Sequence, residues 1–267
     1  MREACFDTVI LSDIHLGSET CRASDVQAML KSIAFNRLVL LGDIFNDLNF
    51  SRLKKEHWNL LSYIRKLSNP KRNVEVVWVE GNHDQGLTDV MSHLVGVEVY
   101  QEYTWDYRGK RYLAVHGHQF DRFMINNLLL SGIGVFIYTQ AQRLHFFEQK
   151  LARFLDRMST SWLRLSDVVS AGALNLARHR GADVVFCGHT HEATQRQDDG
   201  VQYYNTGCWT NSQATYLTVS EEGVQVHEYQ PGDKTIDSSN DSGSSETPKT
   251  TTPVFSDSLL AAAYASM

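Results

Sequence analysis

Ala182-Asp183-Val184-Val185-Phe186-Cys187-Gly188-His189-Thr190-His191 is the stretch on which the fold turns. Its first six residues form an apolar run rich in β-branched side chains, the pattern of a buried strand. The run stops at a glycine, and two histidines one residue apart follow at the strand exit. From there they can reach two neighbouring metal ions. Four other predicted strands end in the same manner. Thr8 to Ser12 delivers Asp13-Ile14-His15, and Arg37 to Leu41 delivers Gly42-Asp43. Val74 to Val79 delivers Gly81-Asn82-His83-Asp84, and Tyr112 to Val115 delivers His116-Gly117-His118.

Between the first three of these strands the apolar spacing changes to a helical one. Residues 24 to 35 read as a helix capped by Ser24 or Asp25, with Val26, Met29, Leu30 and Ile33 on one face. Residues 51 to 67 read as a second, anchored by Leu53, Trp58, Leu60, Leu61 and Ile64. Strand, helix, strand, helix, strand predicts a parallel α/β layer, whose ligands bind beyond the carboxyl ends of the strands. Short β runs follow at 97–100, 103–107 and 112–115, then at 193–197, 201–204, 214–219 and 224–229. Arg108-Gly109-Lys110, Asp199-Gly200 and Glu222-Gly223 mark turns. This set predicts a mixed or antiparallel second sheet, so two sheets between helices fit the whole.

An insertion without strand signals runs from about 121 to 180. Its stretch 128–138 is strongly apolar, and Arg143, Lys150, Arg153, Arg157 and Arg164 make the remainder basic. A helical pair with a solvated basic face explains this pattern. So does a cap that takes an acyl chain or makes peripheral contact with a membrane surface. The expected domain is 1–230. Residues 231–267 turn to Ser, Thr, Asp, Gly and Pro and read as a disordered tail.

Of the 267 residues, 42% are hydrophobic, enough for a sizeable core, and the net charge of −6 gives no reason to expect a nucleic-acid partner. Cys5, Cys21, Cys187 and Cys208 form no CxxC pair and read as free thiols of a reducing compartment. The N-terminus carries no apolar run of signal-peptide length, and no stretch reaches the length of a membrane span. A soluble cytoplasmic protein is the expectation, and no feature sets an oligomeric state.

The five polar strand exits together make sense as a hydrolytic site with two cations roughly 3.5–4 Å apart. One carboxylate should bridge them, since a shared anion offsets their repulsion, and Asp43 is the natural bridge. Asp13, His15 and His191 complete one shell, while Asn82, His116 and His189 complete the other. Mixed nitrogen and oxygen donors suit Mn²⁺, Fe²⁺ or Zn²⁺ better than Mg²⁺ or Ca²⁺, with Mn²⁺ the first choice. His83 is the candidate general acid, with Asp84 to orient it. His118, Asp121 and Arg122 are candidate substrate contacts. His57, His93, His145, His179 and His227 have no matching partners and read as structural or surface residues.

Asp13-x-His15, Gly42-Asp43, Gly81-Asn82-His83-Asp84, His116 and Gly188-His189-Thr190-His191 resemble the signature of the calcineurin-like metallophosphoesterases. That resemblance covers residues 8 to about 229. It implies a four-layer αββα sandwich of two mixed sheets flanked by helices, with a dinuclear metal site. Ser12-Asp13-Ile14-His15-Leu16-Gly17, Gly42-Asp43-Ile44-Phe45, His116-Gly117-His118-Gln119-Phe120-Asp121 and the long insertion resemble the UDP-2,3-diacylglucosamine diphosphatase branch. That branch cleaves a lipid-linked pyrophosphate and caps its acyl chains with a helical insertion. The chain departs from it at His83, where the branch carries arginine, and at His118, where it carries aspartate. The Trp that often follows the Gly-Asp-Ile-Phe segment is replaced by Asn46-Asp47-Leu48-Asn49. Another phosphomonoester, a cyclic nucleotide or a phosphoprotein is the alternative substrate, and a non-catalytic scaffold the alternative from another class.

Overall fold

The computed structural model describes residues 6–86, 96–121, 165–211 and 213–231. The apolar stretch 128–138, the basic residues after it, Arg122, His93, His145 and the tail from 232 onward lie outside these. β1 (Phe6–Leu11), β2 (Phe35–Leu41), β3 (Glu75–Val79) and the short β4 (Val99–Tyr100) pair in parallel. Two late strands, β10 (Thr215–Ser220) and β11 (Gly223–Glu228), add antiparallel on the other side of β1. The first sheet therefore has the order β11-β10-β1-β2-β3-β4. The second contains β5 (Glu102–Tyr107), β6 (Lys110–Val115), β7 (Val184–Cys187), β8 (Gln195–Asp198) and β9 (Val201–Asn205) in the order β5-β6-β7-β9-β8. Its centre, β6, β7 and β9, is parallel and its edges antiparallel.

Both sheets are mixed, and the strands of the second predicted set divide between them. β10 and β11 are hairpin-linked, and the apolar residues Leu217 and Val219 of β10 face the same interior as Ile10 of β1. That interior lies between the sheets and is filled by Val39, Val77, Ala114, Val184, Phe186 and Tyr204. Trp105 stacks there on Tyr112 and Phe186.

Alternate residues of the first sheet, Val9, Leu11, Leu38, Leu40 and Trp78, face outward onto α1 (Ala23–Ser32) and α2 (Lys55–Leu67). Leu113, Val115, Val185 and Tyr203 of the second sheet face outward onto α3, the helix over 165–180, through Val169, Ala173 and Ala177. Three separate apolar layers thus make the four-layer αββα sandwich, each sheet burying both faces. The last part of the predicted insertion is α3.

Two helix details differ from the sequence reading. α1 starts at Ala23, one residue before the predicted caps, with Arg22 at its N-cap and no side-chain cap. The Arg22 N–H instead donates to the Trp209 carbonyl at 3.1 Å. The predicted 51–67 helix is a 3₁₀ turn (Phe50–Arg52) followed by α2, and Trp58 is 44% exposed rather than an anchor. The predicted periodicity holds for Leu60, Leu61 and Ile64, and the buried His57 joins that face because its Nδ1 accepts the Lys54 N–H at 3.1 Å. His227 stacks on Tyr216, and its Nε2 lies 2.8 Å from the Thr218 hydroxyl. No helix among the described residues is long and apolar enough to cross a membrane.

Candidate metal centre

All five polar strand exits meet at one end of the sandwich. The loops after β1 and β2 run side by side, with Asp13 N–H donating to Gly42 O and His15 N–H to Asp43 O, both at 3.0 Å. In the second sheet Gly188 N–H donates to His116 O at 3.0 Å. These backbone bonds place Asp13, His15 and His191 in one group and Asp43, His116 and His189 in another, while His15, Asp43 and His83 form a third. Ligand atoms within each group lie within 4.8 Å of one another. Asp43 and His15 each belong to two of the groups.

The backbone at these positions is unusual. Asp13 (φ 51°), His15 (φ 52°), Asp43 (φ 51°), His189 (φ 69°) and His191 (φ 56°) all occupy the left-handed region. Non-glycine residues there cost about 1–3 kcal/mol each and cluster where a site needs them. Gly42 serves the same crowding differently: a Cβ on it would overlap the His116 imidazole.

Among the described residues, buried side-chain atoms on these loops lack a partner that meets hydrogen-bond geometry, Asp13 Oδ1, Asn82 Oδ1 and His116 Nε2 among them. An orphaned buried oxygen or imidazole nitrogen costs about 1–3 kcal/mol, and bound cations would satisfy such atoms. His191 Nε2 lies 3.1 Å from Asp13 Oδ1, and His116 Nε2 lies 3.4 Å from Asp43 Oδ2. The donor set, carboxylate, amide and imidazole without thiolate, fits divalent transition ions.

The electrostatics agree with that donor set. Burial opposes ionisation of Asp13, but His191 and His116 outweigh it and hold the carboxyl below its usual range. Burial likewise opposes ionisation of Asp43, but His116, His83 and His15 outweigh it and hold that carboxyl below its usual range. His15 is held neutral by burial, at about 4. Burial also disfavours charge on His116, but Asp43 above all raises it to about 10.

The remaining predicted residues divide. His83 is 41% exposed at its side chain, edge-on to His15, with Nε2 3.9 Å from Asp43 Oδ2. Its Nδ1 lies 2.6 Å from the Asn46 carbonyl, so that carbonyl, not Asp84, orients the ring. Asp84 is buried and accepts the N–H groups of Ile44 (3.1 Å) and Phe45 (3.0 Å). Its carboxylate thus holds the Asp43 loop, and burial followed by Asp43 raises it to about 6. His118 stands beside His116 and His189, with Nε2 3.5 Å from Gln85 Nε2. Burial, then His116 and His189, lowers it to about 4. Asp121 is buried, with Oδ2 3.5 Å from His189 Nε2. Arg122 lies outside the described residues.

The sequence reading missed Ser12, Asn46, Asn205 and Thr206. Ser12 donates to Asp13 Oδ2, and Asn205 Nδ2 donates to the Gly188 carbonyl at 2.6 Å. Asn205-Thr206-Gly207 has the same polar exit from an apolar strand that marked the other loops, but it carries neither acid nor histidine.

A four-layer αββα sandwich with acid, amide and histidine ligands at its strand ends is the architecture of a metal-dependent phosphoesterase. The chain belongs to the calcineurin-like phosphoesterase family, whose profile matches residues 6–193. No curated protein matches it significantly. Among solved structures it is similar to YfcE, a phosphoesterase from E. coli, at 18% identity and TM-score 0.44, covering 81% of this chain and 90% of that one. It is also similar to an archaeal phosphodiesterase (14% identity, TM-score 0.42, 83% and 98% covered) and to Vps29 of Chaetomium thermophilum (11%, 0.44, 84% and 97%). These structural likenesses are too distant to carry an argument, and family membership rests on the profile match.

Proposed function

We propose that the chain hydrolyses a phosphoester or pyrophosphate bond at a dinuclear metal centre. The observation that carries this reading is the convergence of three ligand groups through Asp43 and His15, with buried side-chain atoms on the same loops that lack hydrogen-bond partners. Asp13, His15 and His191 would hold one ion, Asn82, His116 and His189 the other, and Asp43 both. Two divalent ions, Mn²⁺ first and Fe²⁺ or Zn²⁺ as alternatives, supply a nucleophile at neutral pH and a Lewis acid for the phosphoryl oxygens. The protein's own contribution is to present these donors without rearrangement and to deliver a proton. The Asn46 carbonyl accepts from His83 Nδ1, so a doubly protonated ring would turn its Nε2–H to the centre and give that proton to the leaving oxygen, keeping the one on Nδ1. His118, whose ring lies 5.6 Å from that of His116, contacts substrate rather than metal. The buried Asp121 faces His189 from the start of the insertion and lines the same end.

The substrate we favour is a UDP-2,3-diacylglucosamine-like lipid pyrophosphate, supported by the motif resemblance and by an insertion that starts beside the centre, at Asp121. His83 favours a second reading, a different phosphoester, because the lipid branch carries arginine at that position. In the first case the protein works in the cytoplasm against a membrane surface, through the insertion. Metal-loaded protein should be assayed against a diacylated UDP-sugar, its deacylated form, bis-aryl phosphates, cyclic nucleotides and a phosphopeptide. Preference for the diacylated substrate supports the first reading, and turnover of the others alone supports the second. Failure to cleave any of them sinks the enzymatic assignment.

A further inference from the structure

We propose that segment 205–209, through Asn205 and Thr206 as positioning residues, sets the ligand geometry of both ion sites from beneath. The inference rests on the dinuclear reading above. β9 ends at Asn205 in the second sheet. By residue 209 the chain has crossed to the first sheet, where Trp209 N–H donates to Asp13 O at 3.1 Å and the indole is buried against the α1–α2 layer. The segment therefore spans the seam between the sheets, below ligands contributed by both.

Asn205 is fully buried. Its Nδ2 donates to Gly188 O at 2.6 Å and lies 3.1 Å from Thr190 Oγ1 and 3.3 Å from the Tyr203 hydroxyl. Its Oδ1 accepts the Gly207 N–H at 3.0 Å. Gly188 and Thr190 flank His189 and lead into His191, so the amide grips the chain around two left-handed residues. Such backbone persists only where the surroundings over-determine it, and Asn205 supplies that determination.

Thr206 acts on the other sheet's ligand. Its hydroxyl lies 2.5 Å from Ser12 Oγ, and Ser12 donates to Asp13 Oδ2. Ser12 has one proton and commits it to the carboxylate, so of the two acceptors near the Thr206 hydroxyl, Ser12 Oγ at 2.5 Å and Cys187 O at 3.3 Å, it donates to the nearer. Asp13 Oδ2 also accepts the His189 N–H at 3.1 Å. Only Oδ1 is then left to face His191 and His15. Thr206 is itself fixed, because its carbonyl accepts the Thr215 hydroxyl at 2.6 Å and its N–H donates to Cys187 O at 2.9 Å. Asn205 thus governs a histidine for each ion, whereas Thr206 acts on Asp13, a ligand of the first ion, and reaches His189 only through that carboxylate.

The test is titration of the metal-free chain with Mn²⁺, by calorimetry and electron paramagnetic resonance, far below its melting temperature. The parent should take up two ions. Asn205→Leu, close in shape but without the amide, should weaken both by about 10–100-fold, the range for groups that orient metal ligands. Thr206→Val should weaken one ion by a similar factor and leave the other near its parent affinity, and Thr206→Ser should restore it. Parent-like uptake of two ions by both Asn205→Leu and Thr206→Val, even with lower melting temperatures of the metal-free chains, would show a packing role and overturn the inference. So would a Thr206→Ser variant as weak as Thr206→Val. If Asn205→Leu does not fold, the Thr206 pair decides alone. A parent that takes up fewer than two ions is a separate result: it sinks the dinuclear centre, and this inference with it.

Discussion

Asp43 and His83 are neighbours with separable duties. Asp43 Oδ1 accepts the His83 backbone N–H at 2.9 Å, while Oδ2 faces the His116 and His83 rings. Asp43→Ala should therefore release both ions and abolish turnover. His83→Ala should keep the ions, as read by atomic absorption, and slow turnover by about 10²–10⁴-fold, most for poor leaving groups. Equal metal loss in the two variants would make His83 a ligand, the role its grouping with His15 and Asp43 allows. A second residue bears on stability alone. Burial pushes the Cys21 thiol from 9.0 up to about 12. The fold thus favours the neutral thiol, a contribution complete below pH 9 and lost as pH rises toward 12. The urea midpoint of the native chain should fall more steeply across that window than that of Cys21→Ser. Parallel curves would show that the thiol is not linked to folding.

Among the elements, α2 shows where pattern reading succeeds and where it stops. Leu60 is fully buried against the first sheet, whereas Trp58 is 44% exposed. Leu60→Ala should cost about 2–5 kcal/mol in urea denaturation, and Trp58→Ser should stay within about 0.5 kcal/mol. Reversal of that order would mean that the tryptophan, not the leucine, anchors the helix. The strands were readable because burial on both faces demands continuous apolar runs, and a run ending in Asp, Asn or His stands out against them. Helix starts were less readable: α1 begins where Arg22 meets Trp209, a contact between residues far apart in the chain. The role of Asp84 was hidden for the same reason, because its partners Ile44 and Phe45 are identified only once two loops are adjacent. Asn205 and Thr206 escaped notice because an amide and a hydroxyl carry no chemistry of their own until their neighbours are known.

For the whole molecule, the proposed ligands join two sheets. Asp13, His15, Asp43 and Asn82 follow strands of the first, and His116, His189 and His191 follow strands of the second. Ions bound as proposed would fasten one half of the sandwich to the other, and their binding energy would become folding stability. Ion at about 100 times its dissociation constant adds about 2.7 kcal/mol per site. Removing metal with a chelator should lower the melting temperature, and Mn²⁺ should restore it in a concentration-dependent way. A melt insensitive to chelation would show that the sheets hold without ions. The left-handed backbone at His15 and His191 has a consequence over evolutionary time. In a descendant that no longer uses the ions, glycine at either position relaxes the turn, so losing the site runs downhill in folding energy. Regaining it means restoring both the side chain and the strain, which makes abandonment of catalysis in such a lineage easier than its recovery.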